Sequence, residues 1–317
     1  MLKKYICKFI QKIIKIILPL MSYIFINLRV NKRVINYLNL KSFSGNNKYN
    51  FSKIINDLNG NEKIIALDVG AQGGFNSDKF FSPKYNHFFE PIMVEPIKEE
   101  FEKLKKTYQF IIDKGLWSSK TKKKLYILAN RLGSSSMYEP DKSSFNLYKI
   151  KKKNFVNFEI TNTIEIDCET MDEALKKINI SKLDYLKLDT QGAELEILKG
   201  MKNYNPLLIR TEVQIFSMYK NVPNWTNLVG LLSELNYMVC EWKEIGSHAT
   251  RISAEMDMIF IPNYKTNSGK DLIIKNENKF ISLMLIFGQL DLLKIILNEL
   301  QLPSYEKIEK FKDRFFF

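Results

Sequence analysis

Several acids in this chain sit where short apolar runs end. Asp68 closes IALD, Glu95 follows IMV, and Asp189 closes YLKLD. Glu212 lies near the end of PLLIRTEV, and His248 lies in GSHATR between two later runs. In an open α/β sheet, ligands bind outside the carboxyl ends of the strands, so acids placed there are positioned for chemistry. A carboxylate can hold ribose hydroxyls, meet a cation, or take a proton from a reacting hydroxyl. Asp189, Glu212 and His248 are the candidate bases. Asp189 also precedes a helical pattern, where capping the helix is the competing role. No spacing among Asp68, Asp189 and Glu212 calls for a divalent cation, and no metal is expected.

Asp68 leads directly into a glycine loop, DVGAQGG. The dinucleotide fingerprint needs glycine at its first, third and sixth positions. Counted from Gly70, those positions hold Gly70, Gln72 and Phe75, so the fingerprint fails. No GK[ST] follows, so the triphosphate loop fails too. What remains is an acid followed by Gly70, Gly73 and Gly74, which let the backbone approach a ligand closely. FNSDKFF then offers Asn76 or Ser77 as the cap of a helix whose N-terminus suits a carboxylate. Asp68 repels phosphate and suits an ammonium group. Glu95, 25 residues after Gly70, can accept hydrogen bonds from both ribose hydroxyls. A ligand with an amino-acid end and an adenosine end satisfies both, and S-adenosylmethionine is such a ligand. Gly70, Gln72, Gly73 and Asp189 would lie along it. Its adenine would meet Asp113 or the backbone of Gly115 and Leu116, after the third apolar run.

A sheet must hold these groups. Strand patterns fall at 63–69, 91–96, 110–113, 183–189, 206–213, 238–245 and 257–262. Helical patterns fall between them at 97–108, 193–201 and 225–237. Such alternation predicts an α/β fold with a doubly wound, mostly parallel sheet. The last two strands are joined by too short a loop for a crossover helix, so they should form an antiparallel hairpin. Residues 118–166 break the rhythm and read as an insertion of strands and loop. The expected organisation is a basic helical arm at 1–50, a catalytic domain at 51–262 and C-terminal helices at 263–317 that pack on the core.

Composition narrows the partners. Cys7, Cys168 and Cys240 form no CxxC or Cys/His cluster, which fits a reducing cytoplasm. The formal charge is +13, but residues 1–50 hold ten of the 48 basic residues and no acid. The remaining 38 bases face all 35 acids, so the folded body lacks the strong positive face of a nucleic-acid enzyme. Within the arm, Lys4, Lys8, Lys12 and Lys15 recur at helical spacing opposite Ile6, Phe9, Ile10, Ile13 and Ile14. Its apolar run, Ile16 to Ile26, is 11 residues long, too short to span a bilayer. Residues 1–30 suit either peripheral contact with the inner face of the membrane or packing on the domain.

LDVGAQGG, VEP, GSSSM, YLKLDTQGAELEILKGM and IRTEV, in that order, resemble the FkbM family of S-adenosylmethionine-dependent methyltransferases. The resemblance covers about residues 64–240. It implies a class I methyltransferase (Rossmann-like) fold and O-methylation of a sugar or natural-product hydroxyl. A saccharide, glycan or glycolipid is the expected acceptor, which makes polysaccharide modification the expected role. It also implies that GSSSM lies near cofactor or acceptor; the motif reads equally as a serine-rich turn. The family more often has valine and glutamate where this chain has Thr190 and Gln191. The competing functions are a non-catalytic scaffold that kept the fold and an NAD-linked enzyme of similar architecture.

Overall fold

The structure is a computed structural model that describes residues 50–128, 131–245, 249 and 253–311. The chain divides into two compact units, 1–46 and 47–317. The first lies outside the described residues, and with it the expectations for the arm. No helix among the described residues is long and apolar enough to cross a membrane.

The second unit is built on seven strands. In chain order they are β1 (Ile64–Val69), β2 (Phe89–Val94), β3 (Phe110–Ile112), β7 (Tyr185–Leu188), β8 (Leu208–Gln214), β9 (Tyr237–Ile245) and β10 (Glu255–Pro262). Their spatial order is β3-β2-β1-β7-β8-β10-β9. The first five strands in that order pair in parallel, and β10 runs antiparallel to both β8 and β9. The expected closing hairpin is present, with β10 inserted between β8 and β9. The chain reverses its direction of winding between β1 and β7, which opens a crevice at their carboxyl ends.

Side chains alternate across each strand, so each face of the sheet has its own core. One face carries Leu67, Val69, Leu186, Leu188 and Ile209 against Leu175, Leu198 and Leu232 of three covering helices. These are α3 (Met171–Lys177), α4 (Glu194–Lys199) and α5 (Trp225–Glu234); α1 (Ser52–Asn59) and α2 (Lys98–Leu104) come earlier in the chain. The opposite face is apolar only over its lower half, where Ala66, Tyr185, Leu208 and Ile259 meet Phe280, Met284 and Leu293. Those last residues belong to C-terminal helices: α6 (Asn267–Lys275), α7 (Glu277–Ile286), α8 (Leu290–Glu299) and α9 (Tyr305–Glu309). The long apolar pattern there is two helices, because Gly288 at φ +75° turns the chain.

The insertion forms a second sheet of β4 (Gly115–Leu116), β5 (Thr121–Leu128) and β6 (Ile160–Glu169), in the order β4-β6-β5. Between β5 and β6, short 3-10 turns gather Phe145, Tyr148 and Phe158 around Met218, Tyr219 and Ala254. This third cluster seats the insertion as a roof over the crevice end of β8 and β10.

One expected element is absent. No helix follows the glycine loop; turns lead to a 3-10 segment at Pro83–Phe88. Asn76 and Lys79 both adopt φ +54°, a conformation that right-handed helices exclude. The Asn76 side chain caps nothing. Its amide donates to Phe81 O at 3.0 Å and Asn86 Oδ1 at 2.9 Å, folding the segment back on itself.

Candidate active site

The crevice is formed by two backbone loops in contact. Gly70 has φ +79°, and a Cβ there would lie 1.9 Å from the Asp189 carbonyl oxygen. Only glycine lets the β1 and β7 loops approach this closely. The amides of Gln72 and Gly73 donate to no protein group among the described residues. Two consecutive N–H groups are thus left free for a ligand carboxylate in place of the missing helix. On the roof side, a Cβ at Gly133 would come 2.7 Å from Gln72 Oε1, so GSSSM touches the glycine loop.

Glu95 is 4% exposed. Its Oε1 accepts from the Ile97 amide at 2.9 Å, and no hydrogen bond falls on Oε2 among the described residues. Burial, aided by the nearby Glu100 and Asp68 carboxylates, raises its pKa to about 7. Asp68 is buried at 2% exposure and does not face the crevice freely. Lys187, on β7, takes it. The Lys187 ammonium lies 2.8 Å from Asp68 Oδ1, 3.1 Å from Gly70 O and 3.8 Å from Asp189 Oδ2. Asp68 thus already has a cation of the protein beside it, and a ligand ammonium would share it with Lys187. Burial raises the Asp68 pKa, against the lowering pull of Lys187. A second buried cation ties the next strands in. Arg210 donates to Asp257 Oδ1 at 3.0 and 2.9 Å, reaches Asp78 Oδ2 at 2.5 Å and lies over the Phe80 ring.

Asp189 does not cap α4. Glu194 does the local work, accepting from the Thr190 amide at 2.7 Å and the Gly192 amide at 2.9 Å. The Asp189 carboxylate is left 31% exposed at the crevice. Gln191, held at φ +59°, joins it to Glu212: Nε2 donates to Asp189 Oδ1 at 3.1 Å and to Glu212 Oε1 at 2.9 Å. The Tyr219 hydroxyl lies 3.0 Å from Gln191 Oε1 and 2.6 Å from Ser134 O, and its one proton serves either acceptor. Ser136 Oγ donates to Gln191 O at 2.7 Å. GSSSM is thus both a turn and the tie between roof and site. Burial raises the Glu212 pKa well above the usual carboxylate range, and the Asp189 and Glu255 charges push it further.

With this geometry in place, the family can be read. The model of the methyltransferase FkbM domain matches residues 68–239, over half of the chain. The chain belongs to the FkbM methyltransferase family. It is an S-adenosylmethionine-dependent methyltransferase, and the class I strand order agrees. Among solved structures it is similar to precorrin-6y C5,15-methyltransferase from Geobacter metallireducens GS-15, at 12% identity and TM-score 0.30, covering 66% of this chain and 85% of that one. It is also similar to magnesium protoporphyrin IX methyltransferase from Synechocystis PCC 6803, at 10% identity and TM-score 0.31, covering 71% and 90%. These overlaps are loose, and the fold rests on the strand order. A comparison with curated proteins gives no match.

In this FkbM methyltransferase, Asp68, Gly70, Gln72, Gly73, Glu95, Asp189 and Glu212 all gather at the carboxyl edge of the sheet. Gly115 and Leu116 lie just beyond the carboxyl end of β3. Both are buried in β4, where a Cβ on Gly115 would strike Cys168 Sγ and Met137 Cε at 2.7 Å, which leaves Asp113 as the exposed residue of that segment. His248 lies outside the described residues. Among the described residues, no group of three or more His, Cys, Asp or Glu is arranged to hold a metal. Lys187 and Arg210 lie inside the motifs YLKLD and IRTEV without standing out there as site residues, and Tyr219 lies in no motif. The alternation of Tyr185, Lys187 and Asp189 on one face of β7 was the available signal for Lys187.

The residues fit S-adenosylmethionine. Glu95 offers an unbonded carboxylate oxygen for ribose hydroxyls, the Gln72 and Gly73 amides suit a carboxylate, and the acid-rich edge favours a cationic centre. Only ionised Glu95 accepts from both hydroxyls. Cofactor affinity should therefore rise with pH through about 7, and Glu95→Gln should remove that dependence. Calorimetric titrations with S-adenosylhomocysteine from pH 6 to pH 8 check it. A flat wild-type profile would take ribose binding away from Glu95.

Proposed function

We propose that this enzyme methylates a hydroxyl of a saccharide, glycan or glycolipid, with Asp189 as the base. The observation that carries the reading is the partly exposed Asp189 carboxylate, on a loop whose backbone meets Gly70, linked through Gln191 to Glu212. The bound cofactor contributes a methyl group on a positively charged sulfur, already a strong electrophile. The chain's task is to orient the acceptor and take its proton. Orientation of well-placed partners lowers a barrier by up to ~7–11 kcal/mol, and a positioned base adds roughly 10²–10⁴-fold. Asp189 receives the hydroxyl proton, while Glu212 and Glu255 accept hydrogen bonds from neighbouring hydroxyls. A polyhydroxylated acceptor suits this edge better than a phosphate, because Lys187 and Arg210 are already spent on Asp68, Asp78 and Asp257.

The partly exposed Asp189 carboxylate at the crevice favours chemistry over a scaffold. An NAD-linked enzyme is disfavoured by the failed dinucleotide fingerprint. Mass spectrometry of the source cell's surface glycans, with and without this protein, tests the acceptor. One O-methyl should be missing without it, and identical glycan masses would remove the saccharide reading.

We further propose that the enzyme works in the cytoplasm, with residues 1–30 on the inner face of the membrane. The lysine spacing of that segment supports this. Deleting residues 1–30 should move the protein from the membrane fraction to the soluble one. An unchanged distribution would dismiss the arm as an anchor.

A further inference from the structure

One charged surface is left unused by this chemistry. From Lys142 to Ile160, the insertion carries five lysines and a single acid, Glu159. Lys142 lies 4.0 Å from Glu159. Lys149, Lys151, Lys152 and Lys153 are exposed, with no carboxylate within 4.0 Å among the described residues. Val156 and Ile160 stand beside them, 49% and 41% exposed. Lysines alone make an ordinary solvated face. Unpaired lysines followed closely in the chain by large exposed aliphatic side chains have the composition of a surface that meets lipid headgroups and the top of the acyl layer.

The patch is mounted on the catalytic edge. Phe145 and Phe158 are buried beneath it with ring centroids 4.7 Å apart. The Tyr148 hydroxyl donates to Phe216 O, and the Asp141 amide donates to Met218 O at 2.8 Å. Tyr219, in the same cluster, reaches Gln191 at 3.0 Å. A body bound through this patch is therefore fixed in relation to Asp189.

We propose that Lys149, Lys151, Lys152 and Lys153, with Val156 and Ile160, dock the enzyme on an anionic bilayer surface beside its active site. The purpose of the contact, reaching an acceptor held in that membrane, rests on the acceptor reading above; the contact itself does not. A soluble polyanion would satisfy the lysines but leave Val156 and Ile160 in water, so the bilayer is the better match.

Hydrogen exchange on the full chain tests the inference locally, apart from any contact made by residues 1–30. Vesicles containing phosphatidylglycerol should slow the amides of residues 149–160 severalfold, and pure phosphatidylcholine should not. K149Q/K151Q/K152Q/K153Q should weaken vesicle binding by roughly fivefold per lysine removed, and so abolish that protection. V156S/I160S should weaken it with no change of charge. No slowing at 149–160 with the anionic vesicles would overturn the proposal. Equal slowing by dextran sulfate, insensitive to V156S/I160S, would overturn it in favour of a polyanion site. Neither acceptor nor methyl donor is present, so failure here and failure of the acceptor reading are separate results.

Discussion

Asp189→Asn should abolish turnover. The expected loss in kcat is roughly 10²–10⁴-fold, the contribution of a positioned base. Cofactor affinity should stay within a few-fold, because Glu95 and the Gln72 and Gly73 amides are untouched. The change is nearly isosteric and keeps an oxygen to accept from Gln191 Nε2, now at 3.1 Å from Asp189 Oδ1. What it removes is the negative charge and the capacity to accept a proton. The carboxylate is 31% exposed and lies 3.8 Å from Lys187, whose stronger partner is Asp68 at 2.8 Å. The fold should therefore survive. Single-turnover kinetics beside calorimetry separate the two effects, and full activity in the variant would end Asp189's candidacy as base.

Lys187→Met should destabilise the protein severely. Asp68 is 2% exposed, and Lys187 is the cation that meets it. Removing one partner of a buried pair costs about 3–5 kcal/mol, because the other charge is left uncompensated. At roughly 2–4 °C per kcal/mol for a domain of this class, Tm should fall by about 6–20 °C. Burial already raises the Asp68 pKa with the lysine in place, and losing the lysine raises it further. A protonated Asp68 needs no cation. The deficit should thus be full above the variant's folded-state Asp68 pKa and shrink as pH falls through it. The double variant Asp68→Asn/Lys187→Met should recover most of the loss. Thermal melts of the three proteins across pH decide the matter; equal melting of wild type and Lys187→Met would dismiss the pair.

Both predictions concern residues that the sequence revealed unequally. Asp189 was visible because it ends an apolar run, and open α/β sheets place ligands at such ends. The mostly parallel sheet followed from the same runs, and the antiparallel close from the short link between the last two strands. Lys187 lies inside one of those runs, and its partner is on a strand more than a hundred residues earlier. Only the register, with Asp68 opposite Lys187, brings them together. The missing helix was hidden for a different reason. Asn76 and Ser77 have the chemistry of caps, but the left-handed conformations of Asn76 and Lys79 follow from hydrogen bonds to Phe81 and Asn86 that local pattern does not encode. Gln191 stood out in sequence only as a departure from the family pattern. Its role in joining Asp189 to Glu212 depends on Tyr219 and Ser136, which reach it from the β8–α5 loop and the roof.

The central claim is that the cofactor lies across the Gly70 and Glu95 loops with its reactive end at Asp189. A crystal structure with S-adenosylhomocysteine tests it most directly. The ribose hydroxyls should lie within hydrogen-bond distance of Glu95, the carboxylate against the Gln72 and Gly73 amides, and the sulfur on the Asp189 side. Ligand density elsewhere, with Glu95 and the glycine loop unengaged, would contradict the account.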